Sequence, residues 1–361
     1  MLKYLILLLF ATTLCSAELK IPYLNQTPHL DGKTESCWEG LSWHSGFHVL
    51  GKEENAGVQT RFKAFHNGKT LHLFIECDEP DTAKLKTETG KRPDAQTRWM
   101  DDSVEINLVS DPTTLSYHKF ALNSAGGATS LFLQDNNTGT GTFSSHTFDS
   151  AIQCAALVRS GKWFLEVSIP FHALNLGNVK SSQWRFNIGR NRYAGGKAEY
   201  STFAKLNAPN HCLPAQFPKT ELESFDCSKY QIQLNVKEEK VLKRDGFLLL
   251  ASPMLTNHTG NFVIGNLQAQ LYHNGKLTGE QTREIRFVDG TSKIPEFKIP
   301  FTELGQHTLV YTLKRLNGET ILRFVKKLEL NYEPVVIRMI RPNYRDCIFA
   351  TMPDKTIEAV I

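Results

Sequence analysis

Two-residue alternation of apolar and polar side chains dominates the sequence from about residue 58 to the end. Turn residues interrupt the alternation without a fixed repeat, and few segments show the period of a helix. An Asn-Gly pair between two alternating runs predicts a β-hairpin. Three such pairs occur, Asn67-Gly68, Asn274-Gly275 and Asn317-Gly318. The pattern therefore predicts an all-β chain whose strands are mostly antiparallel and form sandwiches.

The spacing of strands and loops predicts several parts. Residues 207–219, rich in Pro, Asn and polar side chains, predict a loop that closes a first sandwich. Residues 230–332 have the length and strand spacing of an immunoglobulin-like β-sandwich. The remaining segment is too short for a core of its own, so we expect it to add strands to the second domain or to begin a further one. The predicted parts are 1–17, 18–228, 229–332 and 333–361.

The first 17 residues have the organisation of a secretory signal peptide. Lys3 supplies the positive charge, residues 5–10 are apolar, and the segment ends in small residues at Ala17. An alternative is a lipoprotein signal acylated at Cys15, although Leu14 stands where such signals place a small residue. We predict cleavage after Ala17 and a secreted or periplasmic protein with no membrane attachment.

Composition narrows the classes of partner. The 361 residues carry a formal charge of +4, with 41 Lys and Arg against 37 Asp and Glu, and 41 % of them are hydrophobic. These values are typical of a globular chain and argue against disordered, collagenous or multi-span membrane proteins. Nucleic-acid binding requires a clustered basic patch, and no basic block occurs, so we expect no nucleic-acid partner.

Six cysteines remain after the predicted cleavage, at positions 37, 77, 154, 212, 227 and 347. They are scattered and form no C-x-x-C pair, which argues against a structural zinc site. Export permits disulfides, but the sequence cannot select a pairing. Cys77 and Cys154 lie in apolar runs, and the alternative for them is a small buried hydrophobe.

A series of ordered motifs occurs between residues 22 and 226. They are His29–Gly32 with Cys37-Trp38, Leu71–Asp81, Trp99–Ile106 (WMDDSVEI), Tyr117–Asn123 (YHKFALN), Trp163–Phe171, Trp184–Arg190 and Phe217-Pro218. In this order they resemble carbohydrate-binding module family 9. The resemblance covers only the first domain. It implies a jelly-roll-like β-sandwich of a superfamily that binds sugars and haem.

The motif after Trp99 predicts which side chains face outward. Val104, Ile106 and Leu108 share one face and should point into the core, which turns their neighbours to the other face. The same alternation in the segments 117–123 and 184–190 exposes further amides. If these strands are neighbours, a carboxylate-and-amide patch forms with Trp99 at its rim. The candidate carbohydrate-binding residues are Trp99, Glu105, Asn107, Asn123, Asn187 and Arg190.

A flat aromatic ring and a few placed polar groups are the chemistry that recognises a pyranose. The resemblance implies that Trp99 stacks on the sugar and that Glu105 binds hydroxyls. The structural alternatives are that Trp99 caps the edge of the sandwich and that Glu105 is an ion partner. The amides and Arg190 could likewise satisfy backbone groups or neighbouring charges.

The chain departs from the family pattern in two places. Family members that bind the end of a β-glucan hold the sugar between two tryptophans, and the second should lie where this chain has residues 210–213 (NHCL). The expected arginine of the 117–123 strand is Ala121. The departures argue against specificity for a glucan end. Phe203, Tyr193 and Tyr200 are the candidates to replace the missing ring.

Acidic loops suggest a structural calcium site, because clustered carboxylates and carbonyls suit a hard cation. The candidate ligands are Asp78, Asp81, Asp101 and Asp102. The alternative is that these are solvated loop acids. We expect no required cofactor.

Three functions are compatible with these features. We favour a non-catalytic, secreted protein that binds polysaccharide or oligosaccharide and serves carbohydrate catabolism as the targeting part of a glycoside-hydrolase system. Carboxylates on a surface strand lack the separated pKa values that a glycosidase needs, so we predict no enzyme activity. The first alternative is a haem-binding electron-transfer domain using Met100 with His118 or Lys119. The second is a structural or adhesive surface protein.

Overall fold

The computed structural model describes residues 18–92, 97–136, 143–179, 183–243, 246–331, 338–341 and 347–360. The predicted signal peptide lies outside these ranges. The described chain consists of β-strands joined by loops and short 3-10 helices, which confirms the all-β prediction. The 3-10 helices are Ser36–Trp38, Thr82–Lys84, Arg98–Met100, Phe171–Ala173, Leu176–Asn178, Pro214–Gln216 and Ser228–Tyr230.

The strands of the first sandwich lie before residue 223. They are β1 (Leu19–Ile21), β2 (His48–Val49), β3 (Thr60–His66), β4 (Thr70–Asp78), β5 (Ser103–Val109), β6 (Tyr117–Asn123), β7 (Ala128–Asp135), β8 (Phe143–Thr147), β9 (Gln153–Arg159), β10 (Lys162–Pro170), β11 (Gln183–Arg192), β12 (Glu199–Thr202) and β13 (Lys219–Leu222). The larger sheet has the order β1-β13-β11-β5-β6-β7-β8, with β12 paired to β11 and β2 paired to β12. The smaller sheet has the order β3-β4-β10-β9.

Local sequence explains the tight turns. His66 of β3 pairs with Leu71 of β4 across the predicted Asn67-Gly68 turn. Gly68 has a φ of +79°, and the Asn67 side chain accepts hydrogen bonds from the backbone N–H groups of Lys69 and Thr70. A positive φ is accessible to glycine without steric cost, so this residue pair suits the hairpin. The Asn274-Gly275 and Asn317-Gly318 turns also join paired strands, which confirms the hairpin predictions.

The core of the first sandwich lies between its two sheets. Val104, Ile106 and Leu108 are fully buried there, as their alternation predicts. The other face of the larger sheet is also covered, because a second apolar cluster joins it to the segment 203–217. That cluster contains Leu50, Val109, Tyr117, Leu131, Leu133, Ala204, Leu206 and Phe217. Strands β5 and β6 are therefore buried on both faces, which the alternating sequence does not indicate.

The second sandwich follows residue 230. Its strands are β14 (Ile232–Lys243), β15 (Gly246–Asn257), β16 (Val263–His273), β17 (Lys276–Phe287), β18 (Gly290–Lys293), β19 (Phe297–Phe301), β20 (Gly305–Arg315) and β21 (Thr320–Leu330). One sheet contains β14, β15, β18 and β19, and the other has the order β17-β16-β20-β21. Apolar side chains of both sheets form its core. Its immunoglobulin-like character stays a prediction.

The two sandwiches contact each other directly. Arg323 of β21 pairs with Asp149 of the first sandwich at 2.7 Å. The linker residue Tyr230 is buried in the core of the first sandwich and donates its hydroxyl to the carbonyl of Gly68 at 2.8 Å. Beyond them, β22 (Arg338–Arg341) and β23 (Glu358–Val360) form a two-stranded antiparallel sheet of their own. Within the described ranges, no helix is long and apolar enough to cross a membrane.

Candidate functional site

Trp99 lies in a 3-10 turn that presents it to solvent. Its side chain is 37 % exposed and that of Met100 is 48 % exposed, whereas the flanking residues Arg98, Asp101 and Asp102 are buried. This apolar pair keeps more than a third of its accessible surface in water, although buried polar side chains hold the turn on both sides. Such exposure indicates a contact surface.

Arg98 fixes the turn from its N-terminal side. Its guanidinium donates to the hydroxyls of Thr129 at 3.0 Å and Thr89 at 2.9 Å, and to the carbonyl of Gly90 at 2.8 Å. A Cβ at Gly127 would lie 2.2 Å from the same guanidinium, so only glycine leaves room for it. The side chain thus ties the turn to β7 and to the loop before it.

Asp101 and Asp102 fix the turn from its C-terminal side. Asp101 accepts from the hydroxyl of Thr89 at 2.5 Å and from the amide of Asn123 at 2.9 Å. Asp102 accepts from the backbone N–H of Lys86 at 2.8 Å and of Tyr193 at 2.9 Å. These carboxylates therefore clamp loops together beneath Trp99.

The predicted calcium ligands do not converge. Asp78 lies 3.3 Å from the ammonium of Lys162, and Asp81 lies 3.5 Å from that of Lys84. Oδ2 of Asp101 and both oxygens of Asp102 accept from the N–H and O–H donors just named, which present hydrogens rather than metal-ligand oxygens. Oδ1 of Asp101 is buried and has no hydrogen-bond partner among the described residues. Among the described residues no group of three or more His, Cys, Asp or Glu side chains could hold a metal ion. The residues present do not fit the predicted site.

Two tyrosines extend the exposed aromatic surface. The hydroxyl of Tyr193 donates to the carbonyl of Trp99 at 3.2 Å, and its ring packs edge-on against Tyr200 with centroids 6.3 Å apart. The ammonium of Lys86 lies 5.1 Å from the Tyr193 ring centroid. Phe203, in contrast, packs on Phe62 in the core. Of the three candidates to replace the missing ring, only the tyrosines lie at this surface.

Glu105 is buried in an ion pair. The ammonium of Lys119 donates to its Oε2 at 2.7 Å, and the amide of Asn191 donates to its Oε1 at 3.2 Å. Desolvation raises the pKa of Glu105, but the positive charges and hydrogen bonds around it dominate and lower it to about 2. Desolvation likewise lowers the pKa of Lys119, and Glu105 more than compensates, so its pKa is raised. Both groups are charged near neutral pH.

His211 lies on this pair where the family pattern has its second tryptophan. A Cβ at Gly189 would be 2.6 Å from Nδ1 and Cε1 of the imidazole, and Gly189 pairs with Glu105 across β11 and β5. Neither ring nitrogen has a hydrogen-bond partner among the described residues. Desolvation lowers the pKa of His211, partly opposed by Glu105. A neutral imidazole thus covers the carboxylate.

The predicted carboxylate-and-amide patch is buried rather than exposed to solvent. Asn107 and Asn187 pair across β5 and β11 on the same face as Glu105, yet both are fully buried. Asn187 bonds to Thr202 and the backbone of Ala204, which belongs to the covering segment. The sequence shows the alternation of the strands, but a segment distant in sequence removes this face from water.

Asn123 and Arg190 also have structural partners. Asn123 accepts from the backbone N–H of Gly127 and donates to Asp101, so it belongs to the clamp under Trp99. Arg190 lies on the opposite, core-facing side of the larger sheet, where it donates to Glu79 at 3.2 Å. Because alternate residues of a strand face opposite sides, Arg190 cannot share a face with Asn187.

The three residues considered as haem ligands lie in different environments. Met100 is exposed, His118 packs against Phe132 and Phe148 on the core side, and Lys119 binds Glu105 on the other face. Burial lowers the pKa of His118 to about 4, so the imidazole is neutral at physiological pH.

A groove lies beside Trp99. It has a volume of about 500 Å³ and is lined by Trp99, Leu131, Ser145, His146 and Thr147. This volume is within the range of ~300–1,000 Å³ that is usual for ligand sites. Sequence reasoning identified the tryptophan but missed its β7 and β8 neighbours. It also missed the clamp of Arg98, since only strand pairing brings these segments together.

A family model described as carbohydrate family 9 binding domain-like matches residues 30–211. No curated protein matches the chain.

Among solved structures, a family 9 carbohydrate-binding module from Caldicellulosiruptor kristjanssonii in complex with glucose is similar to this chain, with 14 % identity and a TM-score of 0.43. The match covers 58 % of this chain and 97 % of that one. Its complex with cellotriose gives 14 % identity and 0.42, covering 58 % and 95 %. A candidate carbohydrate-binding protein from Bacteroides uniformis gives 18 % identity and 0.47, covering 58 % and 100 %.

Proposed function

The chain belongs to the carbohydrate family 9 binding domain-like family through residues 30–211, and from this premise we propose that it binds polysaccharide or oligosaccharide at the surface around Trp99. The family is one of binding domains, so the proposed activity is recognition without bond cleavage. A pyranose offers an apolar C–H face to the indole and hydroxyls to the polar groups beside it.

The exposed indole is the observation that carries this proposal. Trp99 is held at the surface by three buried side chains, Arg98, Asp101 and Asp102, whose hydrogen bonds fix the turn on both sides. A fixed ring loses little conformational entropy when a sugar covers it, which favours binding. Tyr193 supports the turn through its bond to the Trp99 carbonyl, and the phenol groups of Tyr193 and Tyr200 add polar atoms to the rim.

Glu105 has an indirect role in this proposal. Its two oxygens bind Lys119 and Asn191, and His211 covers it, so it holds β5, β6 and β11 together beneath the site. The hydroxyls of a sugar then meet the exposed groups of the rim rather than this carboxylate. Trp99 retains the stacking role that the family resemblance implies.

We propose further that the protein is exported and serves carbohydrate catabolism by targeting glycoside hydrolases to polysaccharide. The signal-like residues 1–17 and the family of binding domains support this role. The second sandwich then acts as a spacer that is held against the first by the ion pair of Arg323 with Asp149, and the linker between them is anchored by Tyr230 in the first core.

The test is affinity electrophoresis of the exported chain in gels that contain neutral or acidic polysaccharides, followed by calorimetry. At 37 % exposure, an indole that buries ~250 Å² when fully enclosed leaves roughly 90 Å² for a sugar to cover. At ~25 cal/mol per Å² this is about 2 kcal/mol, so Trp99→Ala should weaken binding roughly 30-fold.

The matched control is Phe262→Ala, which removes a more exposed aromatic ring in the second sandwich and should leave affinity unchanged. Retention by no polysaccharide would contradict the proposed function. Full retention of folded Trp99→Ala would move the site elsewhere on the protein.

A further inference from the structure

The face of the larger sheet that the segment 203–217 covers has no room for a sugar beside Glu105 in this conformation. The imidazole of His211 lies directly on Gly189, beside Glu105, and the oxygens of that carboxylate already bind Lys119 and Asn191. A terminal sugar that enters here must displace His211 and compete with an ion pair. The structure therefore disfavours recognition of a chain end at this point.

The same face becomes open farther along the sheet. One row of cross-strand neighbours runs through Asn107 of β5, Lys119 of β6, Leu131 of β7 and Thr147 of β8. Asn107 and Lys119 are covered, whereas Thr147 is exposed. The groove beside Trp99 lies at the open end of this row, where Leu131 and Thr147 line it.

The lining of this groove suits a sugar chain without charge. Trp99 provides most of the apolar surface, because Leu131 is only 7 % exposed. The exposed residues Ser145 and Thr147 share one face of β8 and provide hydroxyl groups, whereas His146 pairs with the core-side Phe132 and belongs to the other face. None of these lining residues is Asp, Glu, Lys or Arg. A lining of this kind can pair with hydroxyls, but it offers no permanent charge to a carboxylate or sulfate.

We propose that this groove binds an internal segment of a neutral polysaccharide, with one sugar stacked on Trp99 and the following sugars lying along β7 and β8. This inference rests on the proposed saccharide binding and names its substrate class and the course of the chain. Sugar hydroxyls hydrogen-bond to Ser145 and Thr147, which lie on the same face of the edge strand β8. The chain ends stay outside the site, because His211 closes the inner end of the face.

Stoichiometry separates internal binding from end binding. The exported chain is titrated with soluble xylan, glucomannan and hydroxyethyl cellulose of known mean length, and with polygalacturonate as the acidic comparison. We expect a neutral polymer to bind more protein molecules than it has ends, and borohydride reduction of its reducing ends to leave affinity unchanged. Preference for polygalacturonate would overturn the assignment to a neutral polymer.

Oligosaccharide length tests the course of the groove. The matching hexasaccharide should bind at least about tenfold more tightly than the disaccharide. Thr147→Val, which keeps side-chain volume, and Ser145→Ala should each weaken hexasaccharide binding about 3- to 10-fold, the effect of one lost hydrogen bond, and leave disaccharide binding unchanged. Thermal unfolding of each variant checks that it is folded.

The outcomes separate the two proposals. Saccharide binding that depends on Trp99 but is limited to one protein per chain end, or that the β8 variants leave unchanged, would overturn the groove assignment while the proposed function stands. Absence of binding to every polymer would overturn both proposals.

Discussion

Removing the ammonium that neutralises Glu105 is the sharpest test of the covered face. Lys119→Met keeps an unbranched side chain at a position that is only 8 % exposed, but it leaves the carboxylate, 3 % exposed, without its cation. Breaking a buried pair by removing one partner costs about 3–5 kcal/mol. Lys119 is the largest of the influences that lower the pKa of Glu105 against desolvation, so we expect a loss of this order at pH 7.

The sign of the pH dependence follows from the same carboxylate. In the native protein the pKa of Glu105 is lower when folded than when unfolded, so its contribution is present above pH 4.5 and is lost as the pH falls toward 2. Without Lys119, desolvation raises the folded pKa, and protonation at pH 4 removes the buried charge. The difference in unfolding free energy between the variant and the native protein should therefore shrink on acidification.

Urea denaturation followed by tryptophan fluorescence at pH 7 and pH 4 measures both effects. The matched control is Lys205→Met, which removes an exposed partner of Glu53 and should change stability by no more than about 0.5 kcal/mol. The double variant Glu105→Gln with Lys119→Met should recover most of the loss, since it leaves no unpaired charge. A loss below about 1 kcal/mol at pH 7, or an equal loss at both pH values, would refute the buried ion pair.

Three other predictions address the clamp, the core histidine and the cysteines. Gly127→Ala should destabilise the protein by about 1–3 kcal/mol and weaken saccharide binding, because its Cβ displaces the Arg98 guanidinium. Unchanged thermal unfolding and affinity would contradict the proposal that Arg98 fixes the turn of Trp99. The pKa of His118 is about 4 in the folded protein, so the free energy of unfolding should decrease as the pH falls from 6.5 toward 4. Urea denaturation of His118→Leu should show a smaller decrease over this range. An unchanged pH dependence would exclude the buried imidazole as its source. All six described cysteines are free thiols. Thiol titration at pH 8 should detect the exposed Cys347 first, and it should detect Cys77, whose pKa burial raises to about 11, only on unfolding. Fewer than six thiols in unreduced, unfolded protein would reveal disulfides.

The strands and the aromatic residue of the site could be predicted because their signals are local. Alternation placed Val104, Ile106 and Leu108 in the core, and Asn-Gly pairs marked the hairpins, since side-chain period and turn conformation depend only on adjacent residues. The motif around Trp99 marked an exposed ring for the same reason, since its flanking polar residues are sequence neighbours. The signal-like first segment and the domain limits stay predictions.

Whether a face is open or covered depends on segments that are distant in sequence. The alternation in β5 predicts that its polar side is exposed to solvent. In the structure the segment 203–217 packs on this side and places His211 over Glu105. The four acidic residues suggest a cation site, but ammonium groups pair with Asp78 and Asp81, and N–H and O–H donors bind Asp101 and Asp102. The amino-acid sequence by itself determined the strands, their inward residues and the exposed indole. Only the tertiary structure decided which polar groups meet water, because desolvation and charge pairing depend on what packs on a residue rather than on its neighbours along the chain.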